Sequence, residues 1–441
     1  MTAHDRMINT FIDINTEGIK NIGKLNNKSF TRNRKMPFNE FIRFILMKKG
    51  KTTTMELNNY FKEIHKKENT VTKQSFSKQR KNLNPQVFVE LNKNYVTRFY
   101  GEAEVKKFKN HIITAIDGSH IEIPNTEEIR EEYNCTSTGQ TKHRSIARAV
   151  ASGLYDVQNN IMIDCILGKR TDGERSLAKE NISNMLNLLG DKENIITIFD
   201  RGYISVDMLL TLMDANIKYL FRLPEKTFKN ERSSLNSDDG IITIKLTSSR
   251  MKNLSSESLK LKAKQLQEIH VRMVKIELST GEMKYLVTNI GSDFMNTKYI
   301  GELYYKHWGI ELAYGVIKNK LDIENISGKS RLIIEQDFYA QILLFNMLED
   351  LRNDADKVVK DNKKEEQKYD YKVNINILVG TFREYVIMIA LEENTEIRTK
   401  MYMSMIDEIV ANLVPIRFGR SYPRKPYTGV NKYNQNHKRN S

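Results

Sequence analysis

Tyr304, His307, Glu311 and Lys318 recur at offsets of three, four and seven residues along one apolar-periodic segment. At about 100° per residue of an α-helix they fall at roughly 0°, 300°, 340° and 320°, a stripe about 60° wide. A carboxylate flanked by a phenol, an imidazole and an ammonium suits chemistry on a polyanion better than it suits packing. Two more acids occupy telling positions. Asp117 closes the apolar run 112–116, and Asp200 closes the run 195–199. In open α/β sheets, functional groups gather beyond the carboxyl ends of the strands, so both acids would share one edge. Three carboxylates in one place repel each other and ask for a cation. All-oxygen ligation suits Mg²⁺ or Mn²⁺. Two such ions, about 3.5–4 Å apart, stabilise the attacking and leaving oxygens of a phosphodiester displacement.

Each acid also has a plainer reading. Asp117 before Gly118 could form a turn. Asp200 could pair with Arg201, and Glu311 could be a solvated helix acid. Glu122, in Ile121-Glu122-Ile123, is a rival ligand, though it reads better as a strand-face acid. Only the joint pattern lifts the three above these alternatives.

The positioning elements follow from periodicity. Residues 111–222 alternate short β-branched runs with amphipathic stretches: strands at 112–116, 161–167, 195–199 and 219–222, helices at 174–189 and 204–214. This texture predicts an α/β sheet covered by helices. Residues 223–292 are polar and then β-rich, with strands at 241–246, 270–278 and 284–290. A helix is expected over 304–321, with Leu303, Ile310, Tyr314, Ile317 and Leu321 as its buried seam. Trp308, the single tryptophan, sits at the other rim, to pack or to stack on an extruded base. Helices are expected at about 331–360 and 372–412. Residues 1–110 read as helical, with amphipathic 39–48 and two helices at 54–64 and 72–83. The latter carries Lys73, Lys78, Arg80 and Lys81, and reads as either a helix-turn-helix on DNA or a basic bundle face.

Composition sets the class of partner. The 441 residues suggest two to four domains. The net charge of +15 is uneven: +13 over 1–110, +7 over 415–441 and −5 between. Basic ends favour a polyanion through counterion release, and binding would be strongly salt-dependent. No run of 18 apolar residues predicts a membrane span, and residues 1–15 lack a signal-peptide core. The two cysteines, Cys135 and Cys165, fit neither a disulfide framework nor a metal motif, which predicts a cytoplasmic protein. Gly328-Lys329-Ser330 is not a phosphate loop, because position 323 is Ile. HExxH, GxSxG and zinc spacings do not occur.

Taken together, Tyr304-x2-His307-x3-Glu311-x6-Lys318 resembles the Y-x2-R-x3-E-x6-K signature of bacterial insertion-sequence transposases of the DDE type. Ala115-Ile116-Asp117-Gly118-Ser119 resembles the strand bearing that family's first aspartate, and Phe199-Asp200-Arg201-Gly202-Tyr203 its second. Ser75-Phe76-Ser77 with Arg80, and Tyr422-Pro423-Arg424 followed by Lys425, are similar to its N-terminal and C-terminal basic segments. The resemblance runs from about residue 40 onward.

This resemblance implies a ribonuclease H-like α/β catalytic core with a β-rich insertion. A helical N-terminal DNA-binding domain would precede the core, and C-terminal helices would follow it. The expected divisions are 1–110, 111–222, 223–292, 293–360 and 361–441. Asp117, Asp200 and Glu311 would bind two Mg²⁺ (or Mn²⁺) ions. They would serve hydrolysis at transposon ends and strand transfer to target DNA. Tyr304, His307 and Lys318 would hold phosphates, with Arg201, Tyr203 and Trp308 near the same DNA. The partners implied are terminal inverted repeats, target DNA and a second protomer in a synaptic homodimer, near the bacterial nucleoid. His307 departs from the Arg of the signature, and an imidazole cannot make a bidentate fork to phosphate. The expectation is weaker or pH-sensitive end binding. Two other readings are a metal-dependent nuclease without strand transfer and a non-enzymatic DNA-binding derivative.

Overall fold

The computed structural model describes residues 2–417, except 33, 66–69, 136–145, 191–193, 236, 278–280, 364 and 366. The chain divides into two compact units. One comprises 106–119 and 150–314, the other 1–105, 120–149 and 315–441.

The first unit is organised by an eight-stranded mixed sheet. Its strands are β1 (Ile112–Glu122), β2 (Arg148–Asp156), β3 (Ile161–Gly168), β4 (Ile195–Phe199), β5 (Lys218–Arg222), β6 (Asp239–Lys245), β7 (Glu268–Glu277) and β8 (Met283–Thr288). Their order is β3-β2-β1-β4-β5-β8-β7-β6. β1, β4 and β5 run parallel. β8, β7 and β6 continue the same sheet by antiparallel pairing, starting from Leu220 opposite Thr288. The β-rich segment is therefore an extension of the sheet beyond β5.

Burial explains the sequence of the central strands. All five residues of β4, Ile-Ile-Thr-Ile-Phe, are buried. Strands covered on both faces read as continuous apolar runs. Ile113, Ile196, Ile198, Leu220, Val274 and Leu286 form one core with Ile300 and Leu303 of the helix Thr297–Tyr305. Truncating Ile198 or Leu220 to Ala would cost about 2–5 kcal/mol. The helix Glu174–Leu189 turns Leu177, Ala178, Ile182 and Met185 inward. Its buried Asn181 amide donates to Ser152 O at 3.2 Å and to Asp164 Oδ2 at 2.8 Å, which fixes the helix against β2 and β3.

The second unit is built largely of helices, among them Phe38–Leu46, Thr53–Glu63, Lys73–Arg80, Gln86–Glu102 and the 31-residue Arg331–Asp361. Buried ion pairs knit them. Arg6 makes a fork to Asp350, both bonds 2.7 Å, and Tyr95 donates to the same carboxylate. Arg80 is 2 % exposed. It donates to Gln336 at 2.7 Å and to Asp337 at 2.6 Å, and Lys48 pairs with Asp337 as well.

Four expectations need correction. The helix foreseen over 304–321 is two helices, Thr297–Tyr305 and Trp308–Asn319. At the junction the chain tightens to i→i−3 bonds, with Lys306 N–H on Leu303 O, His307 on Tyr304, Gly309 on Lys306 and Ile310 on His307. The 100° wheel therefore does not carry across it. The seam of Leu303, Ile310, Tyr314, Ile317 and Leu321 is nonetheless buried. The helix foreseen over 372–412 splits into Ile375–Leu391 and Thr395–Val410, because Asn394 starts a new N-cap. β1 does not end at Asp117 but runs on to Glu122. β2 was not foreseen at all.

Among the described residues no helix is long and apolar enough to cross a membrane. Cys135 and Cys165 are free and buried.

Candidate active site at the carboxyl ends of β1 and β4

The parallel register sets the site. Ile116 pairs with Phe199, so the next residues, Asp117 and Asp200, stand side by side where the parallel pairing ends. The helix Trp308–Asn319 brings Glu311 toward them in its first turn. The charges of Asp200, Glu311 and a fourth acid, Glu174, all act on Asp117. Burial first, then these three carboxylates, raise the Asp117 pKa from 3.8 to about 7 against the bond from Gly118 N–H. The three acids expected from the sequence thus lie near enough for the charges of Asp200 and Glu311 to act on Asp117.

The backbone beneath Asp117 is held from two sides. The Tyr314 hydroxyl lies 3.0 Å from Asp117 O and 2.9 Å from Ala151 O. His307 Nε2 lies 3.3 Å from Ile116 O. A carbonyl only accepts, so this contact fixes the proton on Nε2. His307 is 6 % exposed. Burial lowers its pKa, despite the Ile116 bond and the acids nearby. It is a neutral anchor for β1, and the expectation that it holds phosphate is corrected by its inward placement.

Asp200 has a cationic flank. Arg222, the last residue of β5, brings Nη1 to 3.7 Å from Asp200 Oδ1. Tyr304 is half-buried, with its phenol between the Arg222 guanidinium and the Asp200 carboxylate. Burial first, then the Asp200 charge, raises the Tyr304 pKa. The charges of Arg201 and Lys284 are felt at the same place.

Other expected DNA contacts sort by exposure. Arg201, Lys73, Lys78 and Lys81 are exposed, and Trp308 is 49 % exposed, so packing does not explain it. Tyr203 is 2 % exposed and turned toward Asp117 and Glu174. Arg80 is consumed by Asp337 and Gln336. Neither reaches a duplex as placed, because apolar and acidic neighbours enclose them. Lys318 donates to His120 O at 2.6 Å. Burial lowers its pKa, with Glu324 and Glu122 opposing. Glu122 belongs to that cluster and pairs with Arg148 at 3.4 Å. Arg424 and Lys425 lie outside the described residues.

Sequence reasoning missed Arg222 and Glu174. The signal for Arg222 was its place at the end of the strand after β4. Glu174 opens a helix directly after Gly173, an N-terminal position like that of many anion-facing groups.

Donor chemistry can be tested against a hard cation. Asp200 Oδ1 is buried and accepts no hydrogen bond among the described residues. Asp117 is loaded with like charge. Oxygen donors in surplus of negative charge fit Mg²⁺ or Mn²⁺ in kind. As placed, no three acidic, His or Cys side chains among the described residues converge closely enough to hold an ion. Ligation would require the carboxylates to turn toward one another.

The chain is 28% identical over 123 residues to the InsZ transposase candidate of Escherichia coli (strain K12), a match covering 27% of this chain and 38% of that one. The chain therefore spans about two-fifths of the length of that curated relative. It is also similar, at 8% identity and a TM-score of 0.41, to the piggyBac transposase in a synaptic complex with hairpin DNA. That match covers 90% of this chain and 85% of the other. Residues 109–347, more than half of the chain and the stretch that holds Asp117, Asp200 and Glu311, match the model of the Transposase DDE domain family. The chain belongs to the Transposase DDE domain family.

Proposed function

We propose that the chain is a cut-and-paste transposase that hydrolyses the ends of an insertion sequence and joins them to target DNA. The observation carrying this reading is the Ile116–Phe199 register, which sets Asp117 beside Asp200 within the family-matched residues. The core is read as ribonuclease H-like on the parallel β1, β4 and β5, with Asp117 and Asp200 directly after the paired Ile116 and Phe199. Asp117, Asp200 and Glu311 would hold the divalent cations. When bound, these supply Lewis-acid stabilisation of the attacking and leaving oxygens.

The chain's own residues do the rest. Tyr314 and His307 hold the β1 backbone so that Asp117 cannot swing away. Arg222 and Tyr304 fix Asp200. Exposed Arg201 and Trp308 face the approaching DNA, Arg201 as a phosphate partner and Trp308 as a stacking surface. Lys73, Lys78 and Lys81 present exposed cations from the helix Lys73–Arg80 and its C-terminal cap, which suits backbone contacts in a terminal repeat. Pairing of two ends would require a second protomer.

The test is strand transfer with short duplexes taken from the element ends, in Mg²⁺ or Mn²⁺. Nicked and joined products, both abolished by Asp117→Ala, are expected. Cleavage without joining would replace this reading with a plain nuclease. Joining that survives Asp117→Ala would remove the acid site from the mechanism.

A further inference from the structure

Glu174 is the group at this site that the three-acid reading leaves unused. Its carboxylate lies over two glycines. A methyl at Gly118 would stand 3.5 Å from Glu174 Oε1, and a methyl at Gly202 would stand 3.3 Å from Oε2. These glycines follow Asp117 directly and Asp200 by two positions, so Glu174 spans the gap between the two strand ends. It is the first residue of a 16-residue helix. Arg175, next to it, donates Nε–H to Gly202 O at 3.0 Å. That bond ties the start of the helix to the turn after β4.

A second observation is independent of the acids. Tyr203 is 2 % exposed. Its hydroxyl would stand 3.6 Å from the same methyl on Gly118. It nears the Gly118 N–H without a hydrogen bond of good geometry, and it has no partner among the described residues. A buried hydroxyl left unpaired costs about 1–3 kcal/mol. Such a group is retained where something it can bond to is present in the working state. Here the carboxylates of Asp117, Glu174 and Asp200 face it beside the Gly118 N–H.

We propose that Glu174 is a fourth carboxylate of the cation site, taking a divalent ion on the Asp117 side directly or through a bound water, and that Tyr203 is the positioning residue whose hydroxyl orients it. The inference rests on the cation-binding reading given under Proposed function. Glu174 adds negative charge where Asp117 already carries a surplus, and without an ion that placement is unfavourable. With an ion it supplies an oxygen from beside Gly118 and Gly202. Tyr203 then gains an acceptor.

The test is Mn²⁺ binding to the full chain without DNA, measured by calorimetry and by the loss of the free-ion electron paramagnetic resonance signal. Wild type is compared with Asp117→Asn, Glu174→Gln, Tyr203→Phe and Glu180→Gln, the last an acid farther along the same helix. Expected results are loss of binding in Asp117→Asn and about tenfold weaker binding in Glu174→Gln. A smaller weakening is expected in Tyr203→Phe, and no change in Glu180→Gln, in line with the 10–100-fold typical of groups that support a metal. The thermal midpoint of metal-free Glu174→Gln should equal or exceed that of wild type, which excludes misfolding as the cause. Glu174→Gln binding Mn²⁺ within twofold of wild type, while Asp117→Asn has lost it, overturns the role of Glu174 and leaves the cation site standing. Wild type that binds no Mn²⁺, or Asp117→Asn that binds it fully, overturns both.

Discussion

His307 Nε2 reaches the carbonyl oxygen of Ile116 at 3.3 Å, one residue before Asp117. The side chain that departs from the signature thus supports the strand beneath the first acid. His307→Ala should lose this bond and open a cavity, lowering stability by about 1–3 kcal/mol. His307→Arg should also destabilise, because a guanidinium would enter a 6 % exposed position whose one hydrogen-bonded acceptor is Ile116 O. Urea unfolding midpoints measure both. A His307→Arg protein as stable as the parent, and more active, would contradict the anchoring role.

Asp117 makes the metal-free fold sensitive to pH. Its pKa is raised from 3.8 to about 7, by burial first and then by Asp200, Glu311 and Glu174. The native state therefore binds one more proton than the unfolded chain between those values, and stability falls as pH rises from about 4 to 7. Asp117→Asn removes that loss. In EDTA its Tm should exceed that of wild type at pH 8 by about 3 °C or more, with a smaller gain at pH 5.5. Equal gains at both pH values would show that the carboxylate is not the titrating group.

The opposite sign holds at Asp337. Burial opposes its ionisation, but Arg80, Lys48 and the Ser327 N–H overcome this and hold its pKa below the ordinary 3.8. This stability is fully present above pH ~4 and is lost progressively as pH falls below it. Breaking a buried pair leaves an uncompensated charge, so Asp337→Ala should cost about 3–5 kcal/mol. Between pH 5 and 3 the unfolding free energy of the variant should fall less steeply than that of wild type. Parallel slopes would remove Asp337 from the acid response.

Trp308 is the single tryptophan, 49 % exposed and three residues before Glu311. Its emission should be that of a solvated indole. Adding a duplex with the element's end sequence should shift or quench it, and Trp308→Phe should weaken end binding by about 1–3 kcal/mol if a base stacks there. An emission spectrum unchanged at saturating DNA would place the DNA elsewhere.

How far the sequence could be read depends on the range of the interactions. Helix Glu174–Leu189 and strand Ile195–Phe199 were legible to the residue, because each has a clean period and a full apolar face. β2 was not, since Arg-Ala-Val-Ala-Ser-Gly-Leu-Tyr-Asp is poor in β-branched residues and is a strand by virtue of its neighbours. Asp117, Asp200 and Glu311 stood out because two of them close apolar runs and the third lies on an apolar-periodic helix segment. Tyr203 and Arg80 were misread as DNA contacts because their burial is fixed only by tertiary packing. Asp337 and Gln336 lie far along the chain from Arg80. The tightened turn at Lys306–His307 carries no proline signal, so a straight wheel was extended across it.

Ile116 and Phe199 are parallel partners that can meet only after β2, β3 and the helix between them have been laid down. Such distant pairing closes slowly. Glu311 arrives later still, after four more strands. On the ribosome, a chain carrying Asp117 alone, or Asp117 with Asp200, would hold an incomplete set of acids. Under the proposed function a half-made copy would therefore lack the full set, and cutting would become possible only once translation has passed well beyond the central sheet.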